Sequence, residues 1–166
     1  MATPTTLPAT FVSGAVLTAA QQNDLRGAFR VLQVVTGTTA VSRTSSSSTY
    51  QDTNLTATIT PTSTSSKILV FVHHVSCEKS VANPLNRMAI QLHRNGSSIL
   101  QLTAGVGYTA SALVLHFSVS ATYMDSPASV AALTYKTQFI NQENVAAVIV
   151  QSGNIASTIT LMEISA

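Results

Sequence analysis

Four histidines, one cysteine and six acids are the residues that could do chemistry here: His73, His74, His93, His116, Cys77, Asp24, Asp52, Glu78, Asp125, Glu143 and Glu163. A metal site would draw on His73, Cys77 and His93. On a strand, however, His73 and Cys77 stand about 13 Å apart at ~3.3 Å per residue, too far to share one ion. His73 and His74 point to opposite faces of that strand. A glycosidase needs two carboxylates facing each other across a sugar, and the spacing pairs no two of these acids. Several sit beside turns, where acids act as caps. The chain has no Gly-x-Ser-x-Gly elbow, phosphate loop or dinucleotide fingerprint. The expectation is therefore no catalytic residue, no metal and no cofactor.

The elements that carry these residues follow from an unusual composition. Of 166 residues only 8 % are charged while 45 % are apolar, so the chain is neither ordinary soluble surface nor disordered polymer. Ser, Thr, Ala and Val in alternating runs favour pleated sheet, and so little charge suits a protein packed against copies of itself. The net charge of +2, with no Trp and 5 % aromatics, gives no basic platform for nucleic acid. A lone cysteine excludes an internal disulfide. Residues 1–12 lack the basic start and apolar centre of a signal peptide. No apolar run approaches the ~20 residues of a membrane span. The expectation is synthesis in a cytoplasm, without export by the usual route or membrane insertion.

Residues 1–16, with Pro4, Pro8 and Gly14, read as an extended anchoring arm whose Leu7, Phe11 and Val12 could plug into a neighbour. Thr18 and Gln21 have capping-box spacing, so a short helix is expected within 17–31. Its stripe of Leu25, Ala28, Phe29 and Leu32 needs a docking surface, with Leu25 and Phe29 as anchors. From residue 32 to 166 the period is two. Strands are expected at 31–43, 55–60, 67–77, 87–93, 97–103, 111–123, 130–140, 145–151 and 156–164. In 111–123, Leu113, Leu115, Phe117, Val119, Ala121 and Tyr123 share one face, and Val114, His116, Ser118, Ser120 and Thr122 share the other. Residues 68–75 are apolar on both faces and belong at a sheet centre or against another subunit. Residues 45–66 contain 14 Ser or Thr among 22 and read as an exposed meander.

Asn95 and Gly96 mark a hairpin. A two-residue loop would set Ile90 against Gln101. A three-residue loop, 94–96, pairs Ile90 with Leu100 and is expected for that reason, with Gly96 left-handed. Recognition residues are expected in the loops 78–86, 104–109 and 124–129, with Arg87, Tyr108 and Asp125 as candidates.

Residues 14–26 (GAVLTAAQQNDLR) resemble the G-x-x-L-T-A-A-x-x-N segment of many small bacteriophage virion proteins, where it precedes a β-rich domain. Residues 55–61 (LTATITP) followed by 65–70 (SSKILV) are similar to a block recurring in phage tail-fibre and head-surface proteins. Residues 135–139 (YKTQF) and 160–164 (TLMEI) fit the same pattern. The resemblance implies a non-enzymatic, trimeric β-sandwich and supplies no catalytic residue. Together these readings give a mainly β chain: an antiparallel, jelly-roll-like β-sandwich preceded by an arm and one short helix. The expected function is a virion surface protein assembled in the host bacterial cytoplasm. It would be a homotrimer joined to other virion proteins through the arm. A short tail fibre or tip would bind a host-surface glycan or protein; the alternatives are a capsid decoration protein and a carbohydrate-binding or carbohydrate-active module.

Overall fold

The computed structural model describes residues 30–109 and 111–165, preceded by Gly14, Val16, Thr18, Ala19 and Gln22. Most of the expected arm and of the expected helix, with the anchors Leu7, Phe11, Val12, Leu25 and Phe29, lies outside the described residues. At the expected helix start, the Gln22 amide donates to the Thr18 carbonyl at 3.0 Å, one helical turn.

Alternation of apolar and hydroxyl side chains produces ten strands among the described residues. They are β1 (Val31–Thr39), β2 (Arg43–Ser45), β3 (Gln51–Ile59), β4 (Lys67–Lys79), β5 (Met88–Arg94), β6 (Ser97–Val106), β7 (Leu115–Asp125), β8 (Leu133–Asn141), β9 (Val148–Val150) and β10 (Ser157–Ile164). They form two antiparallel sheets in a sandwich-like arrangement. In the larger sheet β1, β10, β4 and β7 run side by side, with β9 and β2 continuing beyond β10 and β1. The smaller sheet has the order β3-β8-β5-β6. Every strand expected from the sequence is present, with shifted ends. The first expected strand is broken into β1 and β2. β4 is central, between β10 and β7, as its doubly apolar stretch implies.

Bulges set which side chains turn inward. Along β4, Ile68, Val70, Val72 and His74 are buried; a register shift between His74 and Cys77 then brings Cys77 and Lys79 inside instead of their neighbours. Ser76, at φ 54, absorbs the extra residue. β7 keeps strict alternation, with Leu115, Phe117, Val119, Ala121 and Tyr123 turned inward and His116, Ser118, Ser120 and Thr122 exposed. Leu113 and Val114 precede the strand and are exposed.

The β5–β6 hairpin corrects the expected register. Arg94 pairs with Ser97, so the loop is the two residues Asn95-Gly96, both with positive φ (48 and 87) as a type I′ turn requires. The conflict between apolar faces is relieved further along, where β6 bulges: Leu92 meets Leu100, and Ile90 meets Thr103. The Gln101 side-chain Nε2 donates to the carbonyls of Ile90 and Thr103 at this irregularity. Asn95 earns its place because its Oδ1 accepts the Thr134 amide at 2.8 Å. A Cβ at Gly96 would meet nothing within 4 Å, so only backbone strain opposes it. Gly96→Val is therefore expected to cost about 1–3 kcal/mol in a urea melt. A variant as stable as the parent would show that the turn tolerates a β-branched residue.

The core has two apolar halves divided by a polar seam. One half gathers Leu55, Ile59, Ile68, Val70, Leu92, Tyr135, Ile159 and Leu161; the other gathers Cys77, Met88, Ile90, Phe139, Val148 and Val150. Between them Gln151 Nε2 donates to His74 Nδ1 at 3.0 Å, leaving His74 Nε2–H to donate to Thr137 Oγ1, also at 3.0 Å. Thr137 and Thr53 share a hydroxyl contact of 2.6 Å. Burial and, secondarily, nearby His73 push His74 down to about 4, so the ring stays neutral and the direction of these bonds is fixed.

Candidate functional site

The loop residues expected to bind divide on inspection. Tyr108 follows β6 and is exposed. Arg87 is half-buried and paired with Glu143. Asp125 is corrected: it is the last residue of β7, 5 % exposed, and its Oδ2 accepts from Arg94 at 2.5 Å and from Tyr135 Oη at 2.6 Å. Its neighbour Pro127 made it look like a loop acid, whereas the strand continues until the carboxylate has tied β7 to β5 and β8. The expected loops shorten likewise, because β4 runs to Lys79, β6 to Val106 and β7 to Asp125.

The five described carboxylates each have their own donors. Asp52 is held by Lys136 and Gln138, Glu78 by Ser152, Asp125 by Arg94 and Tyr135, Glu143 by Arg87, and Glu163 by Gln33 and Thr62. Glu163 is fully buried. Burial alone would raise its pKa. Bonds from Gln33 and Thr62, with the Ser66 hydroxyl nearby but short of bonding geometry, reverse that and hold it below the usual 4.5. Cys77 is buried, which pushes its thiol up to about 12 and keeps it protonated. Among the described residues no three His, Cys, Asp or Glu side chains gather as metal ligands, and no helix is long and apolar enough to cross a membrane.

The outer face of the larger sheet is the feature that sequence reading only half found. Its register aligns side chains in rows across β1, β10, β4 and β7. One row is Val34, Met162, Leu69 and Met124; the next is Thr36, Thr160, Phe71 and Thr122; the third is Thr38, Thr158, His73 and Ser120. Not one of these side chains is Asp, Glu, Lys or Arg. Val34, Met124 and Phe71 are 54 %, 46 % and 40 % exposed. Thr36 and Thr160 bond each other at 3.2 Å, which leaves less of their polarity for water. Beside Phe71 a shallow hollow is lined by His73, Ser120, Thr122 and Thr158.

The smaller sheet presents the opposite chemistry. Asp52, Gln138, Gln91 and Gln101 form one row across all of its strands, and Thr56, Lys136, His93 and Ser98 form the next. One sandwich thus carries a face whose central rows are hydroxyl and apolar, with Lys67 beyond the first of them, and a polar amide face.

No protein-family model matches the chain, and no curated protein sequence matches it.

Proposed function

We propose that this is a non-enzymatic structural protein of a bacteriophage virion, a short tail-fibre or tip component. Its sandwich would be a jelly roll that assembles as a homotrimer through the outer face of the larger sheet. The order β1-β10-β4-β7 opposite β3-β8-β5-β6 supports a jelly roll, since successive strands of these eight alternate between sheets except at the β5–β6 hairpin. The single observation that carries the self-association is the charge-free row of Val34, Met162, Leu69 and Met124 with exposed Phe71 beside it. A contiguous exposed apolar patch marks an interaction surface, and neighbouring hydroxyls can pair across a like surface without stranding charge. The residues before 31 would join the assembly to the particle, consistent with the phage-like segment 14–26. They lead into β1 at the end of the sheet where Arg30 and Ser165 exchange hydrogen bonds.

The test is mass in solution. Light scattering should give about three times 17.4 kDa. Phe71→Glu should shift the mass to a single chain, because three carboxylates would be buried at one interface, while Thr58→Glu on the other sheet should leave it unchanged. A wild-type monomer overturns this reading. Purified protein added before infection should block adsorption; unaffected adsorption, with heads made fragile when the protein is removed, would place it on the capsid instead.

A further inference from the structure

We propose that the outer face of the smaller sheet is a saccharide-binding platform, in which Asp52, Lys136, Gln138 and Gln91 hydrogen-bond adjacent hydroxyls of a neutral pyranose beside the Tyr50 ring. This deepens the display reading, since it names the ligand class and moves recognition from the loops to a sheet face.

Sugar hydroxyls donate and accept at once, so they need fixed donors and acceptors side by side. Asp52 supplies acceptors and is 47 % exposed at its side chain. Gln138 Nε2 donates to its Oδ1 at 2.7 Å and Lys136 Nζ to its Oδ2 at 2.9 Å, so the carboxylate is held in place while lone pairs remain open to solvent. Burial alone would raise its pKa; the bonds from Lys136 and Gln138 and the lysine charge outweigh that and keep it ionised. In the same row Gln91 Nε2 donates to Gln101 Oε1 at 2.8 Å. The amide oxygens of Gln91 and Gln138 are left without partners among the described residues.

The aromatic group is fixed as well. Tyr50 Oη donates to Gln101 Oε1 at 3.2 Å, and its ring stands 6.4 Å from that of His93 at 60°. His93, 7 % exposed, donates from Nδ1 to the Gly96 carbonyl and keeps Nε2 buried and unpartnered beneath this face. Beside Asp52 and Lys136, the β3 irregularity at Asn54 (φ 65) opens a hollow of about 270 Å³, bordered by Thr56 and Thr137. That is near the lower end of small-molecule sites, about 300 Å³, and suits one sugar ring. A preordered set of planar amides, one carboxylate and one ring loses little side-chain entropy on binding.

The test is saturation-transfer NMR on the whole chain with the methyl pyranosides of glucose, mannose, galactose and N-acetylglucosamine. At least one should receive saturation with a dissociation constant of about 1–10 mM. Asp52→Ala and Gln91→Ala should each weaken that binding about tenfold, with circular dichroism unchanged, and Phe71→Glu on the opposite sheet should leave it intact. Should either variant lose its fold, the other still decides. Transfer to none of the sugars, or transfer indifferent to both variants, overturns the proposal; capture of a host protein unaffected by these sugars would do the same. A monomer that binds sugar would remove the trimer reading and leave this one standing. A trimer that binds none would do the reverse.

Discussion

Gly37→Ala should remove a large part of the chain's stability, although it adds one methyl group at an unremarkable backbone angle. Gly37 faces inward on β1, opposite Ile159. A Cβ there would lie 1.9 Å from the Thr56 carbonyl oxygen and 3.2 Å from the Ala57 Cβ. The first obstacle is backbone of β3, in the other sheet, and cannot swing aside as a side chain would. Either the sheets part along β1 and β3 or the methyl is not accommodated. Overpacking of a core usually costs about 1–3 kcal/mol; a backbone collision should exceed that and reach about 4–5 kcal/mol, a large part of a domain's whole stability. Urea unfolding of Gly37→Ala beside Thr38→Ala, whose side chain is on the exposed face, checks this. The second should lie within about 0.5 kcal/mol of the parent. A Gly37→Ala protein within about 1 kcal/mol of the parent would mean that the two sheets slide past each other freely.

Acid should destabilise the fold in two successive windows. His74 is neutral inside at about 4, against 6.5 when exposed. Between those values the unfolded chain binds the extra proton, so stability falls as the pH drops from 6.5 to about 4, by about 3 kcal/mol. Below that the His74 contribution is spent. Glu163 then takes over with its own sign: its folded pKa lies below 4.5, so its stabilisation is present above 4.5 and is lost as the pH falls through the folded value. Protonation there would set a hydroxyl among groups that already donate to it, from Gln33 and Thr62. Melting temperatures across pH 7, 5.5 and 4 measure the first window. His74→Gln should flatten that stretch and leave the steeper loss below 4.5. A parent whose melting temperature is level from pH 7 to 4 would show that the ring reaches water.

The alternation of side chains made the strands legible. All nine expected runs exist because period two survives wherever one face is buried. What escaped was everything decided by a partner distant in sequence. The bulge at Ser76 reverses the phase of β4 and buries Lys79, whose amine reaches Thr109; nothing local to 67–79 announces that. Glu163 reads as an isolated acid near the end, yet its donors lie 101 and 130 residues away. A strict register predicts the longer hairpin loop, whereas Asn-Gly dictates the turn and β6 bulges so that Leu92 still meets Leu100. Of the candidate surfaces, the doubly apolar stretch of β4 was visible beforehand. The rows that Val34, Met162 and Met124 complete depend on cross-strand register, and so does the Asp52-to-Gln101 amide row.

The pairing of β1 with β10 has a consequence in time. Val31 meets Ile164, so the first and last described strands are neighbours, and β10 lies between β1 and the rest of its sheet. As the chain leaves the ribosome, β1 has no strand partner until β10 has been made. Contacts between such distant segments also make for slow folding, because the intervening chain must be ordered first. A truncated product lacking β10 would therefore present an open, apolar β1 and a bare edge of β4, a template for aggregation. Only chains that carry β10 can close the sheet, and closing it joins Val34 and Thr36 to the rows that run through Leu69 and Phe71. Making β10 is thus the checkpoint that the larger sheet must pass before its outer face exists.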